Sequence, residues 1–170
     1  MSAASFPPSP RRTAMSTVHW QRDVPAKIRA LGTLADADYS DIVTGNVSGL
    51  SSRTPEAWVR TGLMGVPRGL LFFIPLVQRV FLGLRLKLRP SPDRLLGWKI
   101  AARGESWMRI EASSWFLTGH VVMHVDDDGQ LSFATFVRYD RLPAAIVWPA
   151  ISLIHRQVAL ALVRSATRAQ

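Results

Sequence analysis

His155 and Tyr139 are the residues of this chain whose types and settings best suit proton chemistry. His155 sits at one margin, with Trp148, of a helical run whose apolar stripe is Val147, Ile151, Ile154, Val158 and Leu162. An imidazole at the edge of a buried stripe titrates near neutrality and can protonate or deprotonate a bound carbonyl or phenol. Tyr139 ends an alternating segment and can hydrogen-bond the same oxygen, so the two form the candidate catalytic pair. The structural alternative for His155 is a core histidine bonded to a neighbouring carbonyl, or one exposed at the stripe margin.

Other groups suit less chemistry. His120 and His124, four apart on a strand, share a face but stand about 13 Å apart, too far to hold one ion. Asp126-Asp127-Asp128-Gly129 lacks the alternating acidic ligands and distant glutamate of a calcium loop and reads as a solvated hairpin tip. Arg138 and Asp140 suit an ion pair or, at a cavity mouth, a ligand carboxylate. No nucleophile elbow or ordered Ser-His-Asp signature is present, and cysteine is absent, which excludes thiol nucleophiles and thiolate metal sites. No metal and no cofactor are expected.

The elements that must position these residues follow from periodicity. Tyr39 to Gly45 reads as a first strand. Thr54-Pro55-Glu56 opens a helix that Gly65 ends, since a hydroxyl cap, a proline at the first position and an early carboxylate all favour a helix start. Pro67 opens a second helix to about Leu84, with Leu70, Ile74, Val77, Phe81 and Leu84 on one face. Its apolar run contains Gln78 and Arg79 and falls short of the roughly 20 residues that cross a bilayer. Phe72 and Leu76 project beside Arg68 and Arg79, an arrangement suited to an anionic membrane surface or to a helix covered on two sides by its own domain.

Between Pro92 and Asp140 the period becomes two. One face carries Leu96, Trp98, Ile100, Met108, Ile110, Ala112, Trp115, Leu117, Gly119, Val121, Met123 and Val125, continued by Leu131, Phe133, Thr135, Val137 and Tyr139. The other carries Lys99, Arg109, Glu111, Thr118, His120, His124, Ser132 and Arg138, so an antiparallel sheet with one dry and one mostly wet face is expected. A three-residue loop, Asp127-Asp128-Gly129, keeps Met123 and Phe133 on one face and pairs Val121 with Thr135 and Leu117 with Tyr139. A three-residue turn at Arg103-Gly104-Glu105 aligns the preceding pair. A long helix from about Pro143 to Arg168 follows, which Pro149 bends or starts.

The 170 residues suit one domain, and 48% hydrophobic content suffices for a core. Residues 1–22 mix Pro, Ser, Ala and Arg without period and lack the apolar centre of a secretory signal; with 23–37 they read as a disordered or transitional tail, in which Met15 is a second candidate start. The net charge of +9 resides in the tail and helices, while residues 93–140 hold five basic and seven acidic groups. That charge invites a nucleic-acid or anionic-membrane reading, but there is no basic-aromatic strand motif, Gly-rich phosphate loop or zinc-finger spacing, so no nucleic-acid partner is expected.

Pro90-Ser-Pro-Asp-Arg-Leu-Leu-Gly-Trp98, Ser114-Trp-Phe-Leu-Thr-Gly-His120, Phe136-Val-Arg-Tyr-Asp140 and the element order from Tyr39 to Arg168 resemble the START-like, or SRPBCC, helix-grip superfamily. That group includes polyketide cyclases and birch-pollen-allergen-like carriers, and the segments look like those of its small bacterial members. The resemblance implies a single α+β domain over 38–170, with a curved antiparallel sheet wrapped round the last helix and two short helices after the first strand. It implies seven strands, of which five are legible, with Leu84–Leu88 a candidate for another. It further implies a cavity between sheet and last helix for a lipid or polyketide-like molecule. The dry face then supplies Trp98, Met108, Ile110, Trp115, Leu117, Met123, Phe133, Thr135 and Tyr139, facing Val147, Ile151, His155 and Val158. A cyclase or dehydratase using His155 and Tyr139, and a peripheral membrane protein using Arg68, Phe72, Leu76 and Arg79, are the alternatives. The expected location is the cytoplasm, with or without membrane association.

Overall fold

The computed structural model describes residues 17–47, 54–87 and 91–168. The order is β1 (Val18–Gln21), α1 (Ala26–Gly32), β2 (Tyr39–Asn46), α2 (Pro55–Met64), α3 (Arg68–Val80), β3 (Arg94–Leu95), β4 (Trp98–Arg103), β5 (Trp107–Ser113), β6 (Leu117–Val125), β7 (Gln130–Tyr139) and α4 (Leu142–Arg168). All seven strands join one curved antiparallel sheet in the order β1-β2-β7-β6-β5-β4-β3, and α4 packs along its inner face. This is the expected helix-grip arrangement.

The two strands that periodicity missed are β1 and β3. Leu84–Leu88 is not one of them: residues 82–87 form an irregular segment whose Leu82, Leu84 and Leu86 are buried, with Leu88 outside the described residues. The ordered domain starts well before Asp38, because β1 pairs with β2 and α1 packs on the sheet, which corrects the expectation of a transitional stretch through residue 37. Residues 1–16, including Met15, and the serine- and glycine-rich segment 48–53 lie outside the described residues.

The outer sheet face is not mostly wet. Val24, Ile28 and Leu34, from α1 and its flanks, bury Ile42, Val122, Ala134 and Phe136 against them. Gly32 makes this fit possible, since a Cβ there would lie 2.7 Å from the Phe136 ring. Arg109 Nη1 donates to the Leu31 carbonyl at 2.9 Å and His120 Nδ1 meets the Gly32 carbonyl at 2.6 Å, so two side chains of the sheet cap the negative end of α1. His120 and His124 are therefore buried on the covered side rather than solvated.

Register follows the expected hairpin at one end and departs from it at the other. Met123 pairs with Phe133, Val121 with Thr135 and Leu117 with Tyr139, and Gly129 takes a φ of 79° in the three-residue loop. Between β4 and β5, however, Gly104 N bonds Trp107 O, so the loop is Glu105-Ser106, and a bulge between Ile100 and Ala102 restores the phase that a two-residue loop would shift. Leu96 does not extend the dry face of β4; with Gly97 it forms the turn from β3, both at positive φ.

Thr54 Oγ1 accepts from Ala57 N and Gly65 closes α2, as the residue pattern predicts. Gly62 lets α2 approach α4 closely: a Cβ there would lie 2.8 Å from the Leu162 carbonyl oxygen. α3 stops at Val80, leaving Phe81 exposed and Leu84 in the following segment. The buried stripe of α4 is rotated from the expected one, with Ala144, Trp148, Ser152, Ala159, Leu162, Val163 and Ala166 inward and Ile154 partly exposed. Its small residues bring the helix backbone near the sheet, so Trp148 is core rather than margin. Pro149 lies within the continuous helix and does not start it. Among the described residues α4 is also the one helix long and apolar enough to span a bilayer, although its inward face is spent on the sheet.

Candidate functional site

Between the inner sheet face, α4 and α3 lies an apolar cavity of about 60 Å³. Trp98, Leu117, Gly119, Thr135 and Val137 line it from the sheet, and Trp148, Ile151, Ile154, His155 and Val158 from α4. α3 closes the remaining side with Phe73, Ile74, Val77 and Gln78. Two wider depressions, of about 360 and 300 Å³, lie over the outer face, but they are half polar and open to solvent. The inner one is small beside the roughly 300–1,000 Å³ of sites that engulf a drug-sized ligand, so a ligand of that size requires α3 to move.

α3 is held by few contacts. Val77 is the one buried side chain among those described on it, and Pro75 removes one backbone hydrogen bond from the helix. A polar tie comes from the Trp98 indole, which donates to Gln78 Oε1 at 3.2 Å.

The polar end of the cavity is Thr135 with His155, whose Oγ1 and Nε2 are 2.8 Å apart. Burial lowers the His155 pKa, against a smaller upward pull from the Asp41 charge, so the imidazole is neutral near neutral pH. Behind Thr135, Asp41 is almost fully buried and its Oδ2 accepts from the Tyr39 hydroxyl at 2.6 Å and from Trp20 Nε1 at 3.0 Å. Burial, reinforced by that bond to Asp41, raises the Tyr39 phenol pKa far above its ordinary value. Guanidinium groups cover the outside of this network, Arg22 4.3 Å from the Tyr39 ring centroid and Arg156 4.1 Å from that of Trp20.

Of the expected ligand-binding residues, Trp98, Leu117, Thr135, Ile151 and His155 come together on the cavity wall. Met108 and Met123 are buried in the surrounding core, with Ile110, and do not reach the wall. Phe133 is half-buried with its ring centroid 6.3 Å from that of His155. Val147 packs at the edge of the same core. Trp115 is corrected outright: it precedes β6, is 56% exposed, and stacks edge-on with Phe116.

Tyr139 does not pair with His155. It stands four residues along β7 from the histidine's partner Thr135, which is about 13 Å on a strand, and Asp38 accepts a hydrogen bond from its backbone N. Its phenol pKa is raised, mainly by burial. Arg138 and Asp140 form an ion pair at 2.8 Å, with Thr118 donating to Asp140 at 2.7 Å, away from the cavity wall. A neutral imidazole bonded to a hydroxyl can accept a proton or orient an oxygen. Among the described residues, no carboxylate, lysine, arginine or tyrosine stands on the wall to complete an acid–base pair with it.

Sequence reasoning missed Asp41, Tyr39, Trp20, Trp148 and Gln78. One signal was available for Asp41: it occupies an inward position between Tyr39 and Val43 on a strand otherwise apolar on that side. No protein-family model, curated protein or solved structure matches the chain.

Proposed function

We propose that this domain, a START-like helix-grip protein, binds an apolar small molecule of lipid or polyketide-like character between sheet and α4. The observation that carries the reading is a cavity whose wall is almost wholly apolar and ends in one buried hydroxyl–imidazole pair, the pattern of an apolar body with one oriented polar group. Affinity comes chiefly from area removed from water, at about 25 cal/mol per Å². Native mass spectrometry of the purified chain, followed by organic extraction, tests it. A stoichiometric apolar compound is the expected result. A clean apo mass, with no binding across a panel of lipids and aromatic polyketides, overturns it.

A second reading has its own observation. Phe72, Leu76 and Val80 on the outer side of α3 are 77%, 47% and 64% exposed, and Arg68 and Arg79 flank them. An apolar face framed by guanidinium groups complements an anionic bilayer surface, which suits a cytoplasmic domain that collects its ligand at a membrane. Co-sedimentation with phosphatidylserine-containing vesicles at low salt, lost in high salt and in Phe72→Ser/Leu76→Ser, is expected. Failure to sediment at low salt ends this reading.

A further inference from the structure

Trp148 stands on α4 two turns before His155, is 4% exposed, and forms part of the cavity wall. Its Nε1 is buried and has no hydrogen-bond acceptor among the described residues. The polar side chains nearest it bond elsewhere. The Tyr39 hydroxyl, whose ring meets Trp148 edge-on at 5.4 Å, donates to Asp41. His155, with its ring centroid 5.6 Å from that of Trp148, is bonded through Nε2 to Thr135. Gln78, across the cavity, accepts from Trp98.

A buried indole N–H without an acceptor is uncommon in native proteins, and one on the wall of a binding cavity can be satisfied by what the cavity binds. The same wall constrains the ligand's charge. Among the described residues it carries no lysine or arginine, so a carboxylate would lose its hydration there without gaining a cation.

We propose that the ligand is a neutral carbonyl compound whose oxygen accepts a hydrogen bond from Trp148 Nε1 while its apolar body lies against the sheet. This rests on the ligand-binding reading and narrows it from apolar molecules in general to uncharged ones carrying an acceptor. The His155–Thr135 pair then borders the carbonyl rather than receiving it.

Acetophenone and α-methylstyrene test the inference, because they share one shape and differ in an oxygen for a methylene. Benzoate adds the charge. Titration of the full chain and of Trp148→Phe, which keeps an aromatic ring and removes the N–H, is followed by NMR. Acetophenone binding is expected to weaken about tenfold in the variant and α-methylstyrene binding to change less than twofold, with benzoate at least a hundredfold weaker than acetophenone on the unaltered chain. In the unaltered chain acetophenone, and not α-methylstyrene, moves the Trp148 indole proton downfield, a readout that does not depend on the variant folding. If both probes bind but neither effect appears, the inference fails and the apolar-ligand reading stands. If neither neutral probe binds, the inference fails, and the extraction and ligand panel decide the apolar-ligand reading separately.

Discussion

Asp41 on β2 stands directly across the ladder from Thr135 on β7, so two buried polar residues are neighbours beneath α4. Each hands its polarity in a different direction. Thr135 meets His155 on α4, while Asp41 takes hydrogen bonds from Tyr39 and from Trp20 on β1. A polar line thus crosses the inner face at the point where the apolar cavity ends.

Asp41→Ala leaves the buried Tyr39 hydroxyl and the half-buried Trp20 indole without their acceptor and is expected to destabilise the domain by about 2–4 kcal/mol. Asp41→Asn keeps an acceptor oxygen and loses the charge, at a cost of about 1–2 kcal/mol. Urea denaturation of both variants measures the difference. Equal and negligible losses would mean that Asp41 is not the anchor of this network.

Stability should fall as pH drops from neutrality through the histidine range. Burial lowers the pKa of both His155 and His124, so just below the unfolded value of about 6.5 the unfolded chain binds more protons than the folded one. The stabilisation is complete above that value and is lost progressively as pH falls towards the lowered folded pKa values. Unfolding free energies from about pH 7.5 to 5.5 check the slope, which the double variant His124→Gln/His155→Gln is expected to flatten.

Gly32→Ala forces a methyl group against the Phe136 ring, itself fully buried. The expected loss is about 1–3 kcal/mol, with α1 pushed off the outer face. A Phe136→Leu background, which makes room, should recover part of it in a double-mutant cycle. Additive losses would show that the ring is not what limits Gly32.

Amide exchange should be faster in α3 than in the last three turns of α4. Few of the described α3 side chains are buried, whereas α4 ends on Ala159, Leu162, Val163 and Ala166. A bound apolar probe is expected to slow the α3 amides at least severalfold. Uniform exchange in both states would rule α3 out as the moving wall.

The fold was legible where the pattern was strong. Alternation over β5, β6 and β7 and the caps at Thr54 and Gly65 needed only local physics, and the loop before β7 needed only parity. What escaped depended on partners distant in sequence. β1 is four residues long and exists because β2 offers it an edge, and α1 covers an outer face whose Val122, Ala134 and Phe136 were outnumbered by polar neighbours. In the site, His155 and Thr135 were legible as single polar residues on apolar faces. That His155 would meet Thr135 rather than Tyr139 depended on how α4 is turned on the sheet, which its small residues decide.

The Asp127-Asp128-Gly129 loop sits at the tip of the sheet, remote from any chemistry, yet its odd number of residues places Thr135 under α4 and Phe136 under α1. With one residue removed, β7 keeps that placement only if a two-residue turn joins Asp126 to Gln130; a loop kept at three residues would invert it, bringing a phenylalanine to His155 and a threonine into the packing against α1. The cavity's polar end thus hangs on which turn closes a surface hairpin that touches no residue of its wall.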